Sequence, residues 1–145
     1  MHFGWYHTVF NSLGLFAFSY LLLWQKPLTY WALAFLCSPV IISLLMLNFN
    51  DVEIYRGYSG AFYSLLLIGL LATLKQNWRL SLALLALVAG KIFMEQRPNY
   101  DVNYLVDKIG VGVMVDAHFY GAIVGLLLFT LHVDICKCYR SIRTR

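Results

Sequence analysis

Five long apolar runs, separated by short polar segments, dominate the sequence. They cover residues 5–24, 30–49, 59–74, 78–93 and 111–133. A helix needs about 20 residues to cross the hydrocarbon core of a bilayer, so the third and fourth runs are short for a span. None shows the alternation of a transmembrane barrel strand, and helices otherwise satisfy the backbone in lipid. The pattern predicts an all-α polytopic membrane protein: one domain over residues 1–145 with five transmembrane helices and a basic tail at residues 134–145.

The composition supports a membrane protein. Hydrophobic residues make up 61% of the chain and charged residues 12%, whereas a soluble domain is about half apolar and about a quarter charged. This balance argues against a soluble enzyme and against a disordered chain. The net charge of +4 does not predict nucleic-acid binding, because the basic residues gather in short stretches between the apolar runs. The three cysteines predict neither a disulfide nor a metal site, since Cys136-Lys137-Cys138 lacks a second pair of ligands.

The distribution of lysine and arginine predicts the orientation. If the five spans alternate, most basic residues fall on one side, and the positive-inside rule places that side in the cytoplasm. These residues are Lys26, Lys75, Arg79, Lys137, Arg140, Arg143 and Arg145. We therefore expect the C-terminus in the cytoplasm and the N-terminus outside.

Four polar residues inside the apolar runs are predicted to share one depth. His7 and Asn11 lie four residues apart in the first run, Ser59 opens the third, and His118 lies about 10 Å into the fifth. All three runs begin on the outer side in the predicted topology. Polar groups in a membrane are costly and usually functional. The set predicts nucleophilic catalysis, with Ser59 as nucleophile, His118 as general base, and His7 and Asn11 as donors to an oxyanion.

The surroundings of Ser59 fit this chemistry. Ser59 is predicted at a helix N-terminus, where free N–H groups favour the negative charge that develops during acyl transfer. Gly57 and Gly60 flank it and allow a tight turn and close approach of a substrate.

One face of the fifth run carries small residues beside the histidine. His118, Gly121, Ala122 and Gly125 share this face, which predicts close packing against a neighbouring helix. The third run is the expected neighbour. Tyr63, one turn after Ser59, is expected to stack on the imidazole.

Other polar residues receive structural interpretations. Asp116 lies two residues from His118 and points to another face, so a polar contact in the outer leaflet is preferred to a triad role. For Lys91 and Glu95, four residues apart, a local ion pair or a lysine that extends to the interface is preferred to a catalytic role. His132 is expected at the cytoplasmic interface.

Three segments resemble motifs of the rhomboid family of intramembrane serine proteases. Gly57-Tyr58-Ser59-Gly60, followed by Tyr63, resembles its G-x-S-G nucleophile motif. Ala117-His118-Phe119-Tyr120-Gly121, continuing to Gly125, resembles its histidine motif, and His7-Thr8-Val9-Phe10-Asn11 resembles its H-x-x-x-N oxyanion motif. The resemblance implies a dyad of Ser59 and His118, with an oxyanion hole from His7, Asn11 and the Ser59 backbone N–H. It also implies a transmembrane protein substrate and neither metal nor cofactor.

Two further features bear on the type of rhomboid. The small size and the segments 5–7, 55–57 and 91–96 resemble the bacterial rhombosortase branch, which processes proteins that end in Gly-Gly, a helix and a basic tail. The basic rhomboid fold has six spans, and this chain starts where the second should begin. We therefore expect the first helix of the six-helix core to be missing.

The sequence thus favours an intramembrane serine endopeptidase that cleaves a transmembrane substrate near the outer face of the bacterial inner membrane. One alternative is a non-catalytic rhomboid-like protein that binds transmembrane helices, in which Ser59 and His118 are polar groups of helix packing. A small transporter or channel subunit is the other, but it predicts charged residues along a path across the membrane.

Overall fold

The computed structural model describes residues 9, 12–13, 28–49, 58–101 and 114–143. Four α-helices account for most of these residues, and the described part contains no strand. The helices are α1 (Leu28–Phe49), α2 (Ser59–Thr73), α3 (Trp78–Glu95) and α4 (Val115–Arg143). The described part is therefore all-helical, as the sequence predicts. The first predicted span, residues 5–24, lies almost entirely outside the described residues.

Two of the described helices are long and apolar enough to cross a membrane. These segments are Tyr30–Phe49 in α1 and Val115–Val133 in α4. Helix α2 is apolar but has 15 residues, so it extends about 22 Å and is shorter than the hydrocarbon core. The number of five spans stays a prediction. Helix α4 also continues to Arg143, through most of the segment predicted to be a basic tail.

Helix α2 lies at the centre of the described bundle. It packs against α4, α1 and α3, and eight of its fifteen residues are buried. In α3, by contrast, the buried residues are Ser81 and Glu95, so this helix lies at the edge of the bundle. Large apolar side chains such as Leu36, Leu87 and Leu127 are exposed on the outside, where lipid solvates them.

Helices α2 and α4 approach each other to backbone contact. A Cβ atom added at Gly60 would lie 2.5 Å from the carbonyl oxygen of Ala117, and one at Gly125 would lie 2.7 Å from that of Ser64. At Gly121 an added Cβ would come still closer to the carbonyl oxygen of Gly60. Small residues allow this approach, because any larger side chain would separate the helices. The predicted packing of the small-residue face against the third run is therefore confirmed.

Buried hydroxyl pairs connect the helices laterally. The Ser38 and Ser64 hydroxyls lie 2.8 Å apart between α1 and α2. The Thr73 and Ser81 hydroxyls lie 2.9 Å apart between α2 and α3. In a medium without water such pairs satisfy groups that would otherwise be unpaired, and they fix the register of neighbouring helices.

Candidate active site

Ser59 is the first residue of α2 and is half-buried. The preceding residue, Tyr58, makes no side-chain capping hydrogen bond to the helix. The first backbone N–H groups of a helix have no partner within it, and Ser59 lies at this end of α2. The helix dipole favours negative charge at this end.

The Tyr58 side chain anchors the start of α2 to α1. Its hydroxyl donates a hydrogen bond to the Phe35 carbonyl oxygen over 2.8 Å, and the two rings have centroids 5.0 Å apart. The position of Ser59 is therefore fixed by a neighbouring helix as well as by α2 itself.

His118 lies in the first turn of α4 and is 5% exposed. Its imidazole stacks on the ring of Tyr63, with centroids 4.3 Å apart and planes inclined by 21°. Tyr63 is one turn after Ser59 on α2. The stacking predicted from the sequence is therefore confirmed, and it sets the plane of the imidazole relative to α2.

The contact between α2 and α4 involves the chain neighbours of the two candidate catalytic residues. Gly60, the residue after Ser59, packs directly against Ala117, the residue before His118. The Ser59 hydroxyl makes no hydrogen bond to His118 in this part of the described chain. Such bonds are often long in substrate-free sites and shorten when substrate binds.

Glu95, the last residue of α3, is a partner of His118 that sequence reasoning missed. Its carboxylate oxygen Oε2 lies 2.9 Å from His118 Nδ1, and the residue is 3% exposed. Oxygen Oε1 pairs with the Lys91 ammonium one turn earlier. The predicted ion pair of Lys91 and Glu95 is thus confirmed, but Glu95 also reaches a second helix. The carboxylate on Nδ1 belongs to Glu95 and not to Asp116.

The predicted topology contained a signal for this contact. In an alternating arrangement the fourth run ends on the side where the fifth begins. The last residue of α3 and the fourth residue of α4 therefore lie at similar depth. A carboxylate and an imidazole at one depth in a membrane are expected to pair with each other.

The remaining predicted site residues divide into two groups. Gly60, Gly121 and Gly125 form the contact between α2 and α4. His7, Asn11 and Gly57 lie outside the described residues, so an oxyanion contribution from the first run stays a prediction.

Two features of the described chain bear on other chemistry. Within the ranges that the structure describes, no group of three or more His, Cys, Asp or Glu side chains is arranged to hold a metal ion. His132 packs against Tyr30, with ring centroids 4.1 Å apart and ring planes inclined by 48°. It lies 14 residues after His118, about 21 Å further along α4, so it is remote from the site.

Comparison with known proteins gives one match. The sequence model of the family described as Rhomboid domain matches residues 1–134. No curated protein and no solved structure is significantly similar to the chain.

Proposed function

Because the chain belongs to the rhomboid family, whose membrane-embedded members are generally serine proteases, we propose that it is an intramembrane serine endopeptidase. Ser59 is the nucleophile and His118 the general base. The observation that supports the proposal is the backbone contact of Gly60 with Ala117, because Ser59 precedes the first of these residues and the buried His118 follows the second.

The proposed reaction follows from the chemistry of these groups. His118 accepts the Ser59 hydroxyl proton as the oxygen attacks the substrate carbonyl carbon, and a tetrahedral oxyanion forms. The Ser59 backbone N–H donates to this oxyanion, with the His7 and Asn11 side chains as further donors. The imidazolium then gives its proton to the leaving amine. Water hydrolyses the acyl-enzyme with His118 again as base.

We propose that cleavage occurs near the outer face of the bacterial inner membrane, with the N-terminus outside and the C-terminus in the cytoplasm. The shortness of α2 supports a site that water reaches from one face, because its 15 residues do not fill the hydrocarbon core. A substrate helix must unwind locally to expose its peptide bond. Glycines near the cleavage site make this unwinding less costly.

Labelling by a fluorophosphonate probe tests the nucleophile. The wild-type chain, purified in detergent, is expected to be labelled, whereas Ser59→Ala is expected to lose labelling because the probe reacts with an activated serine. Ser64→Ala is the matched control on the same helix, since Ser64 is buried against Ser38 and should leave labelling intact. A folded wild type that is not labelled would contradict the proposal and favour the non-catalytic alternative.

We further propose that the substrate carries the Gly-Gly signal of the rhombosortase branch. A single-span reporter with Gly-Gly before its helix and basic tail is expected to be cut on co-expression. Replacing Gly-Gly by Val-Val should remove most of the product, since β-branched residues resist unwinding into a tight site. Immunoblotting of the reporter measures this, with the Ser59→Ala chain as control. Equal cleavage of both reporters would contradict the Gly-Gly preference and leave the peptidase proposal standing.

A further inference from the structure

We propose that Glu95 is a positioning residue that holds His118 in the tautomer and orientation needed to accept a proton from Ser59. The inference rests on the proposed peptidase function. It adds to the implied dyad a third side chain, contributed by a helix that carries neither member of the dyad.

The first support is the geometry at His118 Nδ1. Glu95 Oε2 lies 2.9 Å from this nitrogen, and both residues are buried. An ionised carboxylate has no proton to donate, so the hydrogen in this bond belongs to Nδ1. Nε2 of the neutral ring then keeps its lone pair, and that nitrogen is the one able to take a proton.

The second support is that two contacts restrict the imidazole about different axes. Stacking on Tyr63 sets the plane of the ring, with centroids 4.3 Å apart. Stacking alone leaves rotation within that plane, which decides the direction in which Nε2 points. The hydrogen bond from Nδ1 to Glu95 removes this rotation. Tyr63 belongs to α2 and Glu95 to α3, so the ring of α4 is held from two neighbouring helices.

The third support is the charge balance around the carboxylate. A buried carboxylate is costly unless it is paired. Lys91 on the same helix pairs with Oε1. Its side chain is 47% exposed, so the ammonium group is less desolvated than the carboxylate. With His118 neutral, the Lys91–Glu95–His118 cluster carries no net charge. When His118 takes the Ser59 proton, the carboxylate stabilises the imidazolium.

Variants at Glu95 separate positioning from packing. Glu95→Gln keeps the size of the side chain but removes its charge, and its amide N–H is able to donate to Nδ1 and favour the wrong tautomer. Glu95→Asp keeps the charge but is one methylene shorter. If the carboxylate positions His118, kcat should be highest in the wild type, lower in Glu95→Asp and lowest in Glu95→Gln. A role in packing alone predicts that Gln, the better steric match, is more active than Asp.

The experiment measures kcat and KM for reporter cleavage by the full chain in liposomes, together with the melting temperature. We expect Glu95→Gln to lower kcat by about 10²-fold or more with little change in KM, and Glu95→Asp to recover part of the loss. A kcat near that of wild type in Glu95→Gln, or Gln more active than Asp, would overturn the proposal. If Glu95→Gln does not fold, the kcat of Glu95→Asp tests the proposal instead. A lower kcat at unchanged melting temperature supports the proposal, and a wild-type kcat overturns it.

Ser81→Ala is the matched control for loss of a polar link to α3. It removes the hydrogen bond of Ser81 to Thr73 at the opposite end of α3 and does not touch His118. We expect it to change the melting temperature and leave kcat unchanged. A fall in kcat equal to that of Glu95→Gln would assign both effects to loosening of α3 and overturn the positioning role. Failure of the peptidase proposal is distinguishable, because wild type would then be no more active than Ser59→Ala.

Discussion

A His118→Ala chain is expected to cleave its substrate about 10²–10⁴-fold more slowly than wild type, because Ser59 then has no base to take its proton. Alanine is smaller than histidine and leaves a cavity at this buried position, which can destabilise the fold. The loss of activity therefore has to be separated from a loss of folded protein. His132→Ala is the matched control on the same helix. His132 packs against Tyr30 far from His118 along α4, and its loss should leave the rate within about twofold of wild type.

Reporter cleavage and fluorophosphonate labelling, each normalised to folded protein, measure this effect. The rate of the wild type should also fall on acidification, since a protonated imidazole does not accept a proton. Two results would count against His118 as base: a His118→Ala chain that is still labelled at the wild-type rate, and a wild-type rate that stays flat from mildly acidic to alkaline pH.

Gly121→Val is expected to destabilise the bundle by about 3 kcal/mol or more. The first added carbon would overlap the backbone of Gly60, and backbone atoms of a packed helix do not move aside as a flexible side chain does. The helices must separate, which would also displace His118 from α2. We therefore expect a lower melting temperature in detergent together with loss of fluorophosphonate labelling.

Gly90→Ala provides the contrast for this prediction. Gly90 lies in α3, and an added Cβ there meets no atom within 4 Å. Alanine favours the helical backbone more than glycine does, so the melting temperature should stay the same or rise slightly. If Gly121→Val melts at the same temperature as Gly90→Ala, the close contact of α2 and α4 is not a determinant of stability.

The sequence predicted the ends of α1, α2 and α3 to within two residues, and α4 is the exception. The run at 30–49 corresponds closely to Leu28–Phe49, because apolar residues define both. Helix α4 extends to Arg143, beyond the run that ends at residue 133. Hydropathy marks the part of a helix that lipid solvates, whereas the backbone hydrogen bonds of a helix continue through charged residues once they have begun.

In the candidate site, some residues were identifiable from the sequence and one contact was not. Ser59 and His118 were identifiable as candidates because polar groups stand out at a shared depth, and Tyr63 because it lies one turn after Ser59. Glu95 was assigned to Lys91, four residues earlier, because spacing along one helix reveals partners on that helix. Its bond to His118 joins residues 23 positions apart, and finding it requires the relative depth and rotation of two helices. The two oxygens of a carboxylate accept from two partners, so a satisfied local pair does not exclude a distant one.

The polar contacts of α3 have a mechanical consequence. Near its start, Ser81 is bonded to Thr73 of α2, and at its end Glu95 is bonded to His118 of α4. Between these points the helix is held by few buried side chains. Helix α3 is therefore attached to its neighbours by one buried hydrogen bond near its start and another at its end. Moving α3 away from the bundle as a rigid body would break the hydrogen bond of Ser81 to Thr73 or that of Glu95 to His118.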